Sequence, residues 1–241
     1  MNTARLFTFF AFFFLLIGSA KSQTQFTGWL GSFNTIRMSP KTSIHLDVQF
    51  RSTDEVKQLQ TSLFRTGLNY HLNKTVILTA GYAYISNKKV VSGQFGYTPE
   101  HRLWEQAVVN HKLKPVLVSH RFRIEQRFIS KSVIDGNQIE DGPRYSNRFR
   151  YFIRNVLPLK KQETFKKGVF AALQNEVFLN FGDKSGVNGK TFDQNRLYIA
   201  GGYRLSAKAD LELGYMNQYV NGRGSQFTNN HIIQLAGYLR L

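Results

Sequence analysis

Cysteine is absent from the 241 residues of this chain. Its absence excludes a disulfide framework, a thiolate metal site and a cysteine nucleophile. Proline is scarce, with 5 residues, and beyond residue 22 no apolar run reaches the length of a membrane-spanning helix. The chain is therefore not a protein that crosses a membrane through several helices.

The first 22 residues have the three parts of a secretory signal peptide. Arg5 gives a positive start, residues 6–18 form a Phe-rich apolar stretch, and Ala20 and Ser22 are the small residues before a cleavage at Gln23. A membrane anchor would use the same run, but the run is short for a span. The sequence therefore predicts a signal peptide over residues 1–22 and one secreted domain over residues 23–241.

Acidic residues are few, since 15 Asp and Glu stand against 32 Lys and Arg, a formal net charge of +17. Removal of residues 1–22 takes away Arg5 and Lys21 and leaves +15. Nucleic acid is the usual partner of so basic a protein, but export argues against it. We expect no nucleic-acid partner. The expected partners are anionic phospholipid and lipopolysaccharide head groups, or anionic small solutes.

The mature chain alternates between apolar and polar residues. Residues 44–51 read Ile-His-Leu-Asp-Val-Gln-Phe-Arg without a fault. Successive side chains of a strand point to opposite faces, so this segment has one apolar face and one charged face. The same period of two recurs near residues 121–128, 148–154, 169–180, 210–219 and 233–241.

This pattern predicts eleven antiparallel strands, most of them with the roughly ten residues that a tilted strand needs to cross a bilayer. They lie near residues 24–35, 42–52, 58–71, 75–86, 101–112, 115–130, 144–157, 167–181, 192–206, 208–220 and 229–241. Short connections alternate with longer loops near 87–100, 131–143, 182–191 and 221–228, as in a transmembrane barrel. Such barrels have an even number of strands in bacteria, so the expected count is ten or twelve.

A soluble lipocalin-like barrel in the periplasm would alternate as well. Three features favour a barrel in the outer membrane of a Gram-negative bacterium: strands longer than the five or six residues common in soluble sheets, an alternating last strand that the barrel assembly machinery would recognise, and aromatic residues expected at interfacial girdles. These aromatic residues are Tyr82, Tyr84, Trp104, Tyr145, Tyr151, Tyr203, Tyr215, Tyr219 and Tyr238.

Several short segments carry a resemblance to a known family. They are residues 64–70, 81–84, 100–106, 120–128, 147–151, 174–178 and 193–198. In their order and their arginine content they resemble domain-of-unknown-function family 2490, uncharacterised outer-membrane β-barrel proteins found mainly in Bacteroidetes-type bacteria. The resemblance implies an outer-membrane barrel and covers nearly the whole mature chain. It transfers no activity and no functional residues.

The strongest candidate site is a charged network inside the barrel. Its members are Arg65, Arg121, Arg123, Glu125, Arg127, Arg148, Arg150, Arg154, Glu176, Arg196, Asp210 and Glu212. Asp47 and Arg204 belong to the same stripes. Arginine holds carboxylates through its planar fork, so the network is either a structural filling of salt bridges or the lining of a weakly porin-like pore that prefers anions.

An outer-membrane lipid hydrolase, of the phospholipase or lipid A deacylase type, is the alternative from another class. Such an enzyme needs a histidine that deprotonates a serine, yet none of the six histidines has a serine two residues later. We therefore predict no catalytic residue, no metal site and no cofactor. Asp135, Glu140 and Asp141 form a loop whose composition favours solvation over a Ca²⁺ site.

Overall fold

The computed structural model describes residues 22–91, 94–130, 132–134, 137–139, 143–160, 162 and 164–241. The predicted signal peptide therefore lies, apart from Ser22, outside the described residues. Within them, thirteen strands join one sheet, and eleven of these close into a barrel. The prediction of an all-β barrel is confirmed. No helix in the described part of the chain is long and apolar enough to cross a membrane.

The strands follow one another along the chain without a crossover. They are β1 (Ser22–Arg37), β2 (Thr42–Ser52), β3 (Leu59–His71), β4 (Val76–Val91), β5 (Gln94–Leu113), β6 (Val116–Ile129), β7 (Ser132–Ile134), β8 (Asn137–Ile139), β9 (Arg144–Pro158), β10 (Gly168–Phe181), β11 (Phe192–Ser206), β12 (Ala209–Asn221) and β13 (Phe227–Arg240). The short strands β7 and β8 form a hairpin beside β5, outside the barrel ladder.

The hairpin of β4 and β5 is longer than predicted. A loop was expected near residues 87–100, but pairing continues out to Val91 and Gln94. Val90, Val91, Phe95 and Tyr97 are residue types that favour strands, and their preference prevails over the glycines and asparagines nearby. The prediction of a long loop here is wrong.

The barrel closes between its first and last strands, which run parallel. Gly28 pairs with Ile233 and Leu30 with Leu235, while β1 is antiparallel to β2 on its other side. An odd number of strands gives the first and last strand the same direction, so the closure must be parallel. The eleven predicted segments are thus confirmed as the strands of the barrel, within the predicted range of ten to twelve. The expectation of an even number is wrong, because residues 24–35 form a full strand and the described residues add no twelfth strand to the barrel.

The two ends of the barrel differ. We call the end where β2, β4, β6, β10 and β12 finish the loop end, and the opposite end, where β1, β3, β5, β9, β11 and β13 finish, the turn end. Connections at the turn end are short, such as 72–75, 114–115 and 207–208, with the exception of 159–167. The expected alternation of short and longer connections is present except at two places, the connection 159–167 at the turn end and the tight β4–β5 hairpin at the loop end.

The two faces of the sheet differ in chemistry. On β12 Leu211 and Leu213 are 49% and 58% exposed, whereas Asp210 and Glu212 are 8% and 1% exposed. Glu212 forms an ion pair with Arg154 of β9, three strands away in the sheet. Strands that are not neighbours can touch only across the enclosed side, so the charged stripe points inward and the apolar stripe outward.

Aromatic and aliphatic residues also fill the interior. Trp104, 1% exposed, packs with Leu63, Ala83 and Ile85. A second cluster nearer the turn end contains Trp29, Phe165, Phe170, Ala172, Tyr198, Ala200, Met216 and Ile232. The prediction that Trp104 and Tyr238 belong to an outer girdle is wrong. Trp104 takes the same face of β5 as the inward residues Glu100 and Arg102, and the Tyr238 hydroxyl donates to inward Glu212 at 3.2 Å.

The Trp104 indole lies over two glycines that pair with each other, Gly67 of β3 and Gly81 of β4. A Cβ atom added at Gly81 would lie 2.6 Å from Trp104 Cζ2, and one added at Gly67 would lie 2.8 Å from it. Only glycine leaves room for the ring at these two positions.

Candidate functional site

The interior charges are concentrated on β6 and β9, which are neighbours. Arg123 pairs in register with Arg150, and Glu125 with Arg148. Alternation along each strand brings every second residue inward, so these four side chains meet on the enclosed side. Glu125 is fully buried and accepts from Arg148 Nη2 at 2.7 Å and from Arg150 Nη1 at 2.5 Å.

Glu176 of β10 connects a second pair of arginines. Its Oε1 accepts from Arg121 Nη2 at 2.7 Å and from Arg150 Nη2 at 2.7 Å. Arg150 is therefore shared between Glu125 and Glu176. Five of the predicted residues, Arg121, Glu176, Arg150, Glu125 and Arg148, therefore form one continuous set of charge-assisted hydrogen bonds, which are stronger than bonds between neutral groups.

Three contacts in this network were not predicted from the sequence. Glu100 accepts from Arg102 Nε and from Arg127 Nε, both at 2.6 Å, and Asp193 accepts from Arg148 Nη1 at 3.0 Å. Glu100 lay in the expected loop near 87–100, and no inward stripe was predicted for the strand near 101–112. Continuing the alternation of that strand back by one residue would have placed Glu100 beside Arg102.

Arg65 and Arg123 have different surroundings. Arg65 Nη1 donates to Asp47 Oδ2 at 2.6 Å. Arg123 donates from Nε and Nη2 to Gln106 Oε1, at 3.0 and 2.6 Å, while its Nη1 stays 3.9 Å from Glu125 Oε1. The neutral amide of Gln106 is thus the main partner of Arg123.

A separate group of charges lies toward the turn end. Arg154 pairs with Glu212. Asp210 accepts from Arg204 Nε at 2.8 Å and also lies 2.8 Å from Arg240 Nη2. These residues do not join the network around Glu125 and Glu176, so the predicted set is not one continuous network.

Aromatic rings contact several of the guanidinium groups face-on. Arg123 Cζ lies 4.5 Å from the Trp104 ring centre, and Arg150 Cζ lies 4.4 Å from that of Phe178. Such contacts are attractive because the ring face carries negative charge. Rings and carboxylates therefore both stabilise the buried arginines.

Arg196 is the predicted member that the structure brings to no carboxylate of the described residues. It donates from Nη2 to Gln194 Oε1 at 3.2 Å and lies 5.0 Å from the Trp29 ring centre. Arg51 of β2 stacks on the same ring at 4.0 Å and donates from Nη2 to Gln49 Oε1 at 2.8 Å. Arg51 likewise has no described carboxylate as a partner.

A polar cavity of about 190 Å³ lies among these arginines. Thr61 at the start of β3, Asn87 near the end of β4 and Gln194 near the start of β11 contribute to its wall, which places the cavity toward the loop end. Seven arginines and one carboxylate, Glu100, line it among the described residues.

A serine and a histidine do meet in this structure, although they are far apart in sequence. Ser43 Oγ of β2 lies 2.9 Å from His71 Nε2 of β3, and Asn69 Nδ2 donates to Ser43 Oγ at 3.0 Å. The pattern of a serine two residues after a histidine does not include this pair. Ser43 is fully buried on the inward side, where a lipid substrate has no access.

Of the remaining polar candidates, Asp183 lies in a turn, and the others lie outside the described residues. Asp183 Oδ1 accepts from the Ser185 amide at 2.9 Å, which holds the pKa of this carboxyl below its usual value and fits turn chemistry. The loop acids Asp135, Glu140 and Asp141 fall outside the described residues. Among the side chains that the structure describes, no group of three His, Asp or Glu could hold a metal ion.

Fold and interior together define a closed eleven-stranded β-barrel with a charged, aromatic-lined interior. The chain belongs to the family described as protein of unknown function (DUF2490), which matches residues 26–229. An uncharacterized protein of Methylorubrum extorquens is similar, with 27% identity over 197 residues that make up 80% of this chain and 78% of the relative. No solved structure matches this chain.

Proposed function

We propose that this chain is an integral outer-membrane protein of Gram-negative bacteria, non-catalytic, whose barrel is filled by its own side chains. The single observation that carries the proposal is the sidedness of the strands. Large apolar residues such as Leu213 and Ile199, each 58% exposed, cover the outward face, whereas charges such as Glu125 are enclosed. A soluble barrel has the opposite distribution.

The energetics of a bilayer support this arrangement. Lipid offers no hydrogen-bond partner, so a spanning sheet must close its ladder, as β1 and β13 do here. An arginine facing lipid at the midplane costs about 2–4 kcal/mol, and the stripes of β6 and β9 avoid that cost by facing inward. The partners that follow are outer-membrane lipid, lipopolysaccharide and the barrel assembly machinery.

Fractionation tests the location. The full chain, expressed in a Gram-negative host, is expected in the outer-membrane fraction, released only by detergent. Its folded band on a gel should migrate differently from the boiled band. Recovery of the processed protein in the soluble periplasmic fraction would instead support the lipocalin-like alternative and overturn the proposal.

The filled interior favours a structural role over a diffusion pore. Trp104 and Phe178 are each 1% exposed within the barrel, and the carboxylates that bind the arginines are buried with them. In planar bilayers we expect no persistent channel from the refolded protein. Stable single-channel steps with anion preference would establish the weakly porin-like function in its place.

The contact between Ser43 and His71 is the observation that keeps a lipid hydrolase as a second candidate. A histidine within hydrogen-bond reach can activate a serine, and the 2.9 Å separation meets that condition. Because Ser43 is buried, we expect the refolded protein not to hydrolyse phospholipid or lipid A. Turnover that disappears in the Ser43→Ala variant would establish the enzyme.

A further inference from the structure

Arg51 and Arg196 lie on one ring without a counter-charge among the described residues. Their Cζ atoms are 4.0 and 5.0 Å from the ring centre of Trp29, a residue that is 9% exposed. The other arginines of the cavity differ, because Arg65, Arg102, Arg127, Arg148 and Arg150 all form ion pairs. An uncompensated charge inside a protein is costly, so this pair is expected to have another partner.

Unused hydrogen-bond donors lie on the same cavity. The Nε groups of Arg51 and Arg65 are buried and have no hydrogen-bond partner, and both residues line the cavity. Arg65 is 5% exposed, so solvent reaches little of it. Buried N–H groups nearly always find an acceptor, so these two donors call for an acceptor, water or anion, that enters the cavity.

We infer that this cavity is a binding site for a small oxyanion of the phosphate class, either free phosphate or a phosphate monoester. Seven arginines and one carboxylate line it among the described residues, which excludes a cation as the ligand. Its volume of about 190 Å³ is several times the roughly 30 Å³ that one water molecule occupies in the liquid.

Guanidinium chemistry selects this class of ligand. The planar fork of arginine presents parallel N–H groups that match the oxygens of phosphate. Stacking on Trp29 orients Arg51 and Arg196, and Arg51 Nε is left without a hydrogen-bond partner in the described chain. Asn87 on the same wall accepts from Thr61 through its Oδ1, and its amide nitrogen can donate to a further phosphate oxygen.

The site deepens the proposed function and rests on it, because the cavity exists only in the folded barrel. It also gives the inward arginines that have no carboxylate partner a role besides filling the barrel. A phosphate group could come from a soluble molecule or from a lipid head group, so two probes separate the sources. Inorganic phosphate represents the free ion, and glycerol 3-phosphate represents a phosphate monoester such as the head group of phosphatidic acid.

The experiment is calorimetric titration of both probes into the refolded protein in a non-ionic detergent. Wild type should bind at least one probe saturably at one site per chain. Arg51→Gln combined with Arg196→Gln should weaken binding about tenfold or more, since charge-assisted bonds are lost. Lys57→Gln is the matched control, because Lys57 has the same charge and lies in the exposed turn after β2, away from the cavity wall.

Folding is measured separately by the shift between folded and boiled bands on a gel. Tight binding of phosphate supports a site for the free ion, and a preference for glycerol 3-phosphate supports a monoester site. Absence of saturable binding to a folded wild type overturns the inference and leaves the membrane proposal intact. Equal loss of binding in Lys57→Gln also overturns it, because the effect would then be one of net charge.

Discussion

At the scale of single residues, four buried carboxylates of the described chain are each shared by two arginines, those of Glu100, Glu125, Glu176 and Asp210. Glu125 binds Arg148 and Arg150, and Glu176 binds Arg121 and Arg150. The interior contains fewer acidic residues than arginines, so each shared carboxylate offsets part of the charge of two guanidinium groups. Loss of one acid should therefore leave two buried guanidinium groups without their counter-charge.

Replacing Glu176 by Gln is expected to destabilise the folded barrel. Removal of one partner of a buried ion pair costs about 3–5 kcal/mol, and the glutamine oxygen that remains as an acceptor places the effect at the lower end. The measurement is the urea concentration at which the folded gel band disappears in detergent. An unchanged midpoint would mean that Arg121 and Arg150 do not depend on this carboxylate.

Glu105→Gln is the matched control for this substitution. Glu105 is the one Asp or Glu on the outward face of the described strands, and its Oε2 accepts only a neutral donor, Gln126 Nε2, at 3.2 Å. In the membrane location that we propose, this carboxylate faces lipid, so its neutralisation removes a desolvation cost. The Glu105→Gln barrel should thus be at least as stable as wild type, in contrast to Glu176→Gln.

Gly81→Ala tests the contact between Trp104 and the glycines beneath it. The added methyl group would lie 2.6 Å from Trp104 Cζ2 and would clash with the Thr66 carbonyl oxygen, and overpacking of this kind costs about 1–3 kcal/mol. We expect a lower unfolding midpoint in urea. Gly201→Ala is the control, since a Cβ atom at Gly201 meets nothing within 4 Å. Equal midpoints for the two variants would contradict the packing.

The sequence predicts which residues face inward but not which of them meet. The face that a side chain takes depends only on its odd or even position along its own strand. The alternation by itself therefore places Arg121, Arg123 and Glu125 on one face. Partner choice depends on register between strands, which no local pattern encodes. This is why the contact of Arg148 with Asp193 and the lack of a carboxylate beside Arg196 were not foreseen.

At the scale of elements, the closure by β1 and β13 sets the architecture. Because the two strands are parallel, the chain begins β1 at the loop end and finishes β13 at the turn end. The strand boundaries follow from alternation and were predicted to within a few residues for most elements. The closure could not be predicted, since it joins segments about two hundred residues apart and depends on an odd count.

The absence of cysteine makes this closure testable by cross-linking. Ser32 of β1 is in register with Gly237 of β13, on the outward face, and a Cβ atom at Gly237 meets nothing within 4 Å. The double variant Ser32→Cys and Gly237→Cys should form a disulfide on mild oxidation, because registered Cα atoms come within the range that a disulfide bridges. The joined chain should migrate anomalously on a denaturing gel.

Ser32→Cys combined with Ile233→Cys is the control for register. Ile233 lies on the same face but four residues earlier, a shift of roughly 13 Å along the strand. It should not cross-link to Cys at position 32. A disulfide in this control and none in the first pair would show that β1 closes the barrel in another register.

At the scale of the whole molecule, polarity is inverted relative to a soluble protein. The exposed outward residues are mainly Leu, Ile, Phe and Tyr, and buried Arg, Glu and Asp occupy the interior. Both tryptophans share the interior with the charges, since Trp29 is 9% and Trp104 is 1% exposed. Tryptophan is usually enriched at membrane interfaces. The enclosed position of both tryptophans therefore distinguishes the proposed barrel from a typical membrane barrel.

Fluorescence quenching by lipids with brominated acyl chains tests this arrangement. With Trp29 and Trp104 both enclosed, the refolded protein in such vesicles should show little quenching despite full insertion. Leu213→Trp places a third tryptophan at an outward position that is 58% exposed in the wild type, and its emission should be quenched strongly. Strong quenching of the wild type would mean that the native tryptophans contact lipid, which the enclosed position of Trp104 over Gly67 and Gly81 does not permit. If Leu213→Trp is not quenched while the folded gel band is retained, the outward stripe does not touch hydrocarbon, and the orientation of all eleven barrel strands relative to the bilayer would have to be abandoned.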